Sequence, residues 1–342
     1  MLKINHTICP KCSIGCGINL ISNDGFIVGI NPFKNHEINE GKNCKNCIDY
    51  INKLSENTIK AFDYTKTIED IKEKINTIDN DKITIITSGN CDDKTLDSII
   101  DFTKQNKYNL LTYEYNFSKI DSEILSTYDE IEKAEQIITI GDIYRNNSLI
   151  ARRIIHAQQN NAQTINIHTE NNLTGYNSDE FIKIDSYDTI DEVIKSIGLK
   201  DNSIIIINQI DTNENYEKVI GLVNDNNIKL LPLLKHPNSY SSLQKINPSS
   251  VDEINTTISN SELIIFINEN PCEYLDEKVL ENKDVISFTE DDTSLGLSVP
   301  IRLWCQDEMS FTNSMGTTQT YPDAIQDDDN NLKTVTQILE LI

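Results

Sequence analysis

The sequence predicts an α/β fold with mostly parallel sheets. Two observations carry this: short Ile-rich apolar runs recur along the chain, and amphipathic segments alternate with them. Runs that are apolar throughout, rather than alternating in polarity, suit strands covered on both faces. Strand then helix, repeated, pairs strands in parallel through crossovers. Seven runs read as buried strands: 82–88 (KITIITS), 136–141 (QIITIG), 163–169 (QTINIHT), 203–208 (SIIIIN), 228–234 (IKLLPLL), 263–268 (LIIFIN) and 285–289 (VISFT). Helical periodicity falls at 94–107, 148–161, 188–197, 216–224 and 273–281. Asp92 or Asp93 suits the first of these as a cap, Asn147 or Ser148 the second and Asp188 the third.

Composition shifts at 53–64 and at the polar turn 198–203 (GLKDNS) mark boundaries. The expected units are residues 1–55, a first α/β lobe over 56–200 and a second over 201–342, whose C-terminal segment returns toward the N-terminal unit. The run 327–331 (DDDNN) reads as a solvated link to a last amphipathic helix at 332–342.

The chain has 342 residues, with 30 Lys plus Arg against 54 Asp plus Glu and a net charge of −24. Phosphate backbones are bound through excess positive charge, so a nucleic-acid binder of the usual kind is excluded. No apolar run reaches the roughly 20 residues of a membrane-spanning helix. The first ten residues show no export signal, so a soluble cytoplasmic protein is expected.

Five of the eight cysteines lie in the first 47 residues. In a large chain without an export signal, such crowding points to metal or redox chemistry rather than disulfides. Cys9-x2-Cys12-x3-Cys16 with Cys44 offers the four thiolates of an iron–sulfur cubane, three from one tight turn. Gly15 and Gly17 allow close backbone approach, and Pro10 stiffens the turn. Cys9-x2-Cys12 with Cys44-x2-Cys47 equally fits a structural zinc ribbon. Spacing alone leaves both open. Cys91, Cys272 and Cys305 read as small buried hydrophobes.

The residues around these cysteines resemble a family. ICPKCSIGCGINL and DGFIVGINPFKNHEINEGKNC are similar to the N-terminal cluster module of the molybdenum/tungsten pterin oxidoreductases, most nearly the formate dehydrogenase α subunit. Three later segments resemble the family's in the same order: 134–157, 264–271 (IIFINENP) and 311–319 (FTNSMGTTQ). The resemblance implies a small β-rich [4Fe-4S] domain ahead of two Rossmann-like lobes, with Cys9, Cys12, Cys16 and Cys44 as ligands and Cys47 a bystander. It also implies molybdopterin guanine dinucleotide with Mo or W, and redox partners: a ferredoxin-like, flavin or cap-domain subunit.

The sequence departs from the family pattern where the pterin is concerned. The family's lysine between cluster and pterin falls one position early, leaving Lys45 as a candidate relay, and the glycine after it is absent. The stretch 109–131, where the family presents a metal ligand, has no Cys, no His and no glycine-rich turn. With 12 Gly and four Arg in all, pyrophosphate-cradling donors are scarce. The expectation is a shortened, anaerobic electron-transfer subunit with one [4Fe-4S] cluster and a lost pterin site, not catalytic in isolation. The alternative is a catalytic subunit, formate dehydrogenase-like or formylmethanofuran dehydrogenase-like, completed by a separate cap. Two tempting features are given plain readings: His36 as a surface turn residue, and Arg152 with Arg153 as a solvated helix face.

Overall fold

All seven Ile-rich runs are strands in the computed structural model, which describes residues 1–56, 61–112, 114, 116–290, 295–325 and 331–342. In chain order the strands are β1 (Leu2–Ile8), β2 (Gly17–Asn23), β3 (Phe26–Pro32), β4 (Ile83–Thr87), β5 (Asn109–Thr112), β6 (Gln136–Ile140), β7 (Gln163–His168) and β8 (Glu180–Lys183). They continue with β9 (Ser203–Ile207), β10 (Lys229–Pro232), β11 (Leu263–Ile267), β12 (Asp284–Thr289), β13 (Leu297–Pro300), β14 (Met309–Thr312) and β15 (Thr318–Tyr321). The N-terminal sheet β1-β2-β3 is antiparallel. Two five-stranded sheets follow, β10-β9-β6-β7-β8 and β13-β12-β11-β4-β5, parallel throughout. The predicted class therefore holds: a small antiparallel unit, then parallel α/β lobes.

The expected lobe boundary at 200/201 does not match the sheets. It falls inside the first of them, where β9 pairs with β6 in the register Gln136↔Ser203. The second sheet is built from both ends of the chain, β4 and β5 before the first sheet, β11 to β13 after it. The β6–β10 lobe is thus an insertion into the other. The polar turn at 198–203 joins a helix to a strand within one lobe, as any αβ loop does.

Both faces of each large sheet are buried. Ile204 and Ile206 of β9 face the core shared with the N-terminal unit, while Ile205 and Ile207 face the opposite one. On β11, Leu263, Ile265 and Ile267 face one core and Ile264 and Phe266 the other. Each such side chain contributes roughly 1.5–3 kcal/mol of burial. The core of the cysteine unit, including Ile8, Ile18 and Ile51, is continuous with Ile137, Ile206 and Leu231 of the inserted lobe. The cysteines are therefore seated on that lobe.

Helices Asp93–Asn106, Ser148–Gln159, Ile190–Ile197 and Asn213–Asp225 lie where periodicity placed them. Asp92 caps the first through the Thr95 N–H at 3.0 Å. Asp188 does not cap; a 3-10 turn, Tyr187–Thr189, precedes Ile190, and Ser186 caps that turn. The helix expected at 273–281 is instead two 3-10 turns, Pro271–Glu273 and Glu277–Leu280. Asn270 and Asp276 each accept a backbone N–H at a turn start and so break the run in two. The last helix is short, Val335–Leu339. Residues 57–60 of the 53–64 boundary and 327–330 of the acidic link lie outside the described residues. Among the described residues, no helix is long and apolar enough to cross a membrane.

Candidate metal centre

The turn with Cys9, Cys12 and Cys16 is the loop between β1 and β2. Pairing of Ile8 with Gly17 fixes its ends, and the Cys9 N–H closes it on the Cys16 carbonyl at 2.8 Å. Its backbone is gripped from outside. The Ile14 carbonyl accepts from the Tyr128 hydroxyl at 2.8 Å, and Gly15 O accepts from Gln319 Nε2 at 3.1 Å. The Ser13 carbonyl accepts from the Ser314 N–H at 2.7 Å, while the Ser13 hydroxyl donates to Leu234 O at 2.8 Å. Trp304 Nε1 reaches the Ile8 carbonyl at 3.0 Å. The segment β14–β15, which contains FTNSMGTTQ, is thus a clamp on the cysteine turn.

Cys44 is brought to that turn by Asn39. Its side-chain Oδ1 accepts from Gly17 N at 3.0 Å, and its Nδ2 donates to Gly17 O at 2.9 Å and Lys42 O at 2.8 Å. One amide therefore ties the residue after Cys16 to the segment before Cys44. Glu40 pairs with Arg152 at 2.7 Å. Gly41 has φ +72°, and a Cβ there would sit 2.9 Å from Lys34 Cα. The N-E-G triplet so has a physical account. Cys44 ends this loop just before helix Lys45–Glu56, and its Sγ accepts the Cys47 N–H at 3.4 Å.

All five N-terminal cysteines line one cleft of about 380 Å³. Cys9, Cys16 and Cys47 are buried, and Cys12 and Cys44 half-buried. Among the described residues, no three His, Cys, Asp or Glu side chains converge on a point where one ion would sit. Burial pushes Cys12 up to about 12 and also raises Cys16 and Cys44. Contact with the Cys47 thiol, then burial, raises Cys9. Cys47, read as a bystander, is in the cavity wall.

The other residues singled out from the sequence are sorted differently by the fold. Lys45 points to solvent, 85% exposed and 4.0 Å from Asp49, so it is not placed as a relay; Lys11, Lys42 and Lys235 are the cations along the cleft. His36 is buried rather than on a surface turn. Its Nδ1 accepts from Gly17 N at 3.2 Å and its ring packs on Phe33. Burial lowers its pKa, consistent with a neutral acceptor. Arg153 is not solvated either: with its side chain 5% exposed, it binds Asp129 at 2.9 Å, Glu132 at 3.2 Å and the Ile38 carbonyl at 3.2 Å. It ties the cysteine unit to the inserted lobe. Cys91 and Cys305 are buried as expected, but Cys272 is exposed.

The cleft extends from the thiols to the carboxyl ends of β6, β9 and β10, at Asn146–Leu149, Asn208–Ile210 and Leu233–Lys235. The chain leaves β6 toward β7 on one side and places β9 on the other, and ligands of open parallel sheets lie at such a reversal. The start of helix Ser148–Gln159 faces the cleft, and Asn208 Oδ1 and Asn43 Oδ1 are buried there without a hydrogen-bond partner. A second cleft, about 400 Å³, lies at the equivalent reversal between β4 and β11 and shares Lys11, Asn46 and Lys235 with the first.

Between the clefts is a buried pair that sequence reading missed. Glu114 Oε1 takes the His236 Nδ1 contact at 2.9 Å, the Ser239 hydroxyl at 2.6 Å and the Gly89 N–H at 3.1 Å. Burial alone would lower an imidazole's pKa, but Glu114, with Glu269 behind it, raises that of His236 above the ordinary histidine value. The stability this supplies is fully present below about pH 6.5, the unfolded histidine value, and is lost as pH rises through the raised folded value. A His236→Gln variant is expected to lose that fall in stability above about pH 6.5, measured as urea midpoints across pH. An unchanged slope would remove His236 from the account.

An antiparallel module whose five cysteines line one cleft is seated on parallel α/β lobes with clefts at their strand reversals. A family model for the molybdopterin oxidoreductase Fe4S4 domain matches residues 2–52. The chain is 30% identical over 207 residues to the F420-dependent formate dehydrogenase subunit alpha of Methanocaldococcus jannaschii, an alignment covering 53% of this chain and 31% of that one. It thus spans about a third of that relative's length. In fold it is similar to acetylene hydratase from Pelobacter acetylenicus, with TM-score 0.69 and 9% identity over 98% of this chain and 68% of that one. It is also similar to a chain of the formyltransferase/hydrolase complex from Methylorubrum extorquens, with TM-score 0.58 and 10% identity over 83% and 96%. Residues 2–52 thus match the Fe4S4 domain of the molybdopterin oxidoreductases, and about half of the chain is similar in sequence to a formate dehydrogenase subunit alpha.

Proposed function

We propose that this chain is the cluster-bearing subunit of a larger redox assembly and passes single electrons through one [4Fe-4S] cluster held by Cys9, Cys12, Cys16 and Cys44. The observation that carries the reading is the arrangement of thiols around a cavity, with Asn39 binding the two ligand-bearing loops to each other. A four-iron cluster needs thiolates spread around its volume, whereas a lone zinc needs them at a point. When bound, such a cluster supplies a one-electron couple.

The chain's own residues set the conditions for that couple. The Cys47 N–H toward Cys44 Sγ favours the more negatively charged sulfur, and the apolar surround excludes water. Cysteine binds iron as the thiolate, so loading releases protons and is favoured by higher pH. The excess of 24 negative charges suits a docking partner with a basic surface. Partners of the ferredoxin, flavin or cap-domain kind, an anaerobic setting and the cytoplasm belong to the same reading.

A second reading, a catalytic subunit like formate dehydrogenase or formylmethanofuran dehydrogenase, is favoured by the first cleft. The start of helix Ser148–Gln159 there suits a phosphate. The second cleft is mixed in charge, lined by Glu269 and Glu290 beside Lys11, Lys53 and Lys235. The loop after β5 offers Glu114, already committed to His236, and no thiol. A lost pterin site is therefore kept with the first reading, and no step is derived through a pterin.

Anaerobic purification with the native partners, followed by metal analysis, tests both readings. About four irons per chain and a one-electron reducible visible absorbance are expected. Tungsten or molybdenum with extractable pterin would move the assignment to the second reading. One zinc and no colour would overturn both.

A further inference from the structure

We propose that Cys47 is a reserve ligand of the same metal centre, able to take the place of Cys44 on iron. The inference rests on the cluster reading above and deepens it. Cys44 and Cys47 are three residues apart at the start of helix Lys45–Glu56, and both line the cleft that holds the other three thiols. Cys47 is 2% exposed and lines the same cleft as Cys9 and Cys44. Its N–H also faces Cys44 Sγ at 3.4 Å.

A buried cysteine serving only as a small hydrophobe packs its sulfur among carbon atoms. Cys91 and Cys305 do not line the thiol cleft, whereas Cys47 does. Residues three apart at a helix start lie on neighbouring positions of one face, so a small adjustment exchanges one sulfur for the other. In the exchange the Cys47 sulfur bonds to the iron that Cys44 leaves, and the proton given up by Cys47 is taken up by the departing Cys44 thiolate. Iron count and oxidation state do not change. Cys16 has no such deputy. Its sulfur is grouped with Cys12, Cys9 and Cys44, on the turn held by the β14–β15 clamp.

The test is anaerobic reconstitution of the full chain with iron and sulfide, read by iron content, visible absorbance and the electron paramagnetic resonance of the reduced state. Cys47→Ala is expected to load as wild type does. Cys44→Ala is expected to keep about four irons with a shifted resonance, because the ligand geometry changes. Cys44→Ala/Cys47→Ala is expected to stay colourless. A colourless Cys44→Ala chain with folded far-ultraviolet circular dichroism, beside a wild type that loads, overturns the reserve role and leaves the cluster reading standing. A wild type that never loads defeats the cluster reading itself. Should Cys44→Ala not fold, Cys44→Ser and Cys44→Ser/Cys47→Ala decide the matter: a cluster in the first alone supports the exchange, and equal loading of both refutes it.

Discussion

Replacing Cys16 by alanine is expected to reduce bound iron from about four per chain to less than one and to abolish the visible absorbance. The residue separates the two metal chemistries that spacing left open. A zinc ribbon would use Cys9, Cys12, Cys44 and Cys47 and would survive the change, whereas a cubane loses a corner with no neighbour to replace it. The turn should persist in the variant. It is held by backbone bonds from Tyr128, Ser314, Gln319 and Trp304, none of which involves the Cys16 side chain. Metal analysis with circular dichroism on the variant checks this. Full iron content would sink the ligand assignment.

The second large effect is expected at Gly17. A Cβ there would lie 2.2 Å from His36 Cδ2 and 2.5 Å from Cγ. The ring has nowhere to go, being buried, bonded to the Gly17 N–H and packed on Phe33, which itself stacks on His6 at 4.0 Å. Gly17→Ala is therefore expected to cost about 2–3 kcal/mol through forced overpacking. It should also weaken the Asn39 bridge, since Asn39 holds both the N–H and the carbonyl of this residue. Urea unfolding of the metal-free chain measures the first effect, and the rate of iron release from the loaded chain the second. A midpoint within error of wild type would mean the ring yields at little cost. Gly15 is needed on both counts: its φ is +79°, and a Cβ there would lie 2.1 Å from Gln319 Oε1 and 3.0 Å from Asn313 Cβ.

The central strands were legible because burial on both faces leaves an unbroken Ile signal, as in β6, β9 and β11. The strands missed were mostly short edges, such as β5, β8 and β13, where one side lacks a neighbour and the pattern weakens. The insertion of one lobe into the other was not legible at all. Nothing in the composition of LIIFI says that its partner is ITIIT, some 180 residues earlier, rather than SIIII. At the site, the cysteine spacing marked all five thiols, Cys47 through the ribbon pattern, and it was the family resemblance that set Cys47 aside. Arg153 was misread because its buried position depends on Glu132, Asp129 and Ile38, which a helix pattern cannot show. His236 and Glu114 are 122 positions apart, and only the packing of the lobes joins them. The motif Asn39–Glu40–Gly41 was the one local signal whose structural reasons match its spacing.

The clamp on the cysteine turn also has a consequence in time. Cys9, Cys12 and Cys16 leave the ribosome roughly 300 positions ahead of Trp304, Ser314 and Gln319. At synthesis speeds of about 5–20 residues per second, that interval is some 15–60 s. For that long the nascent polypeptide trails unguarded sulfurs, so iron delivery must await the later segments or rely on an escort that shields them.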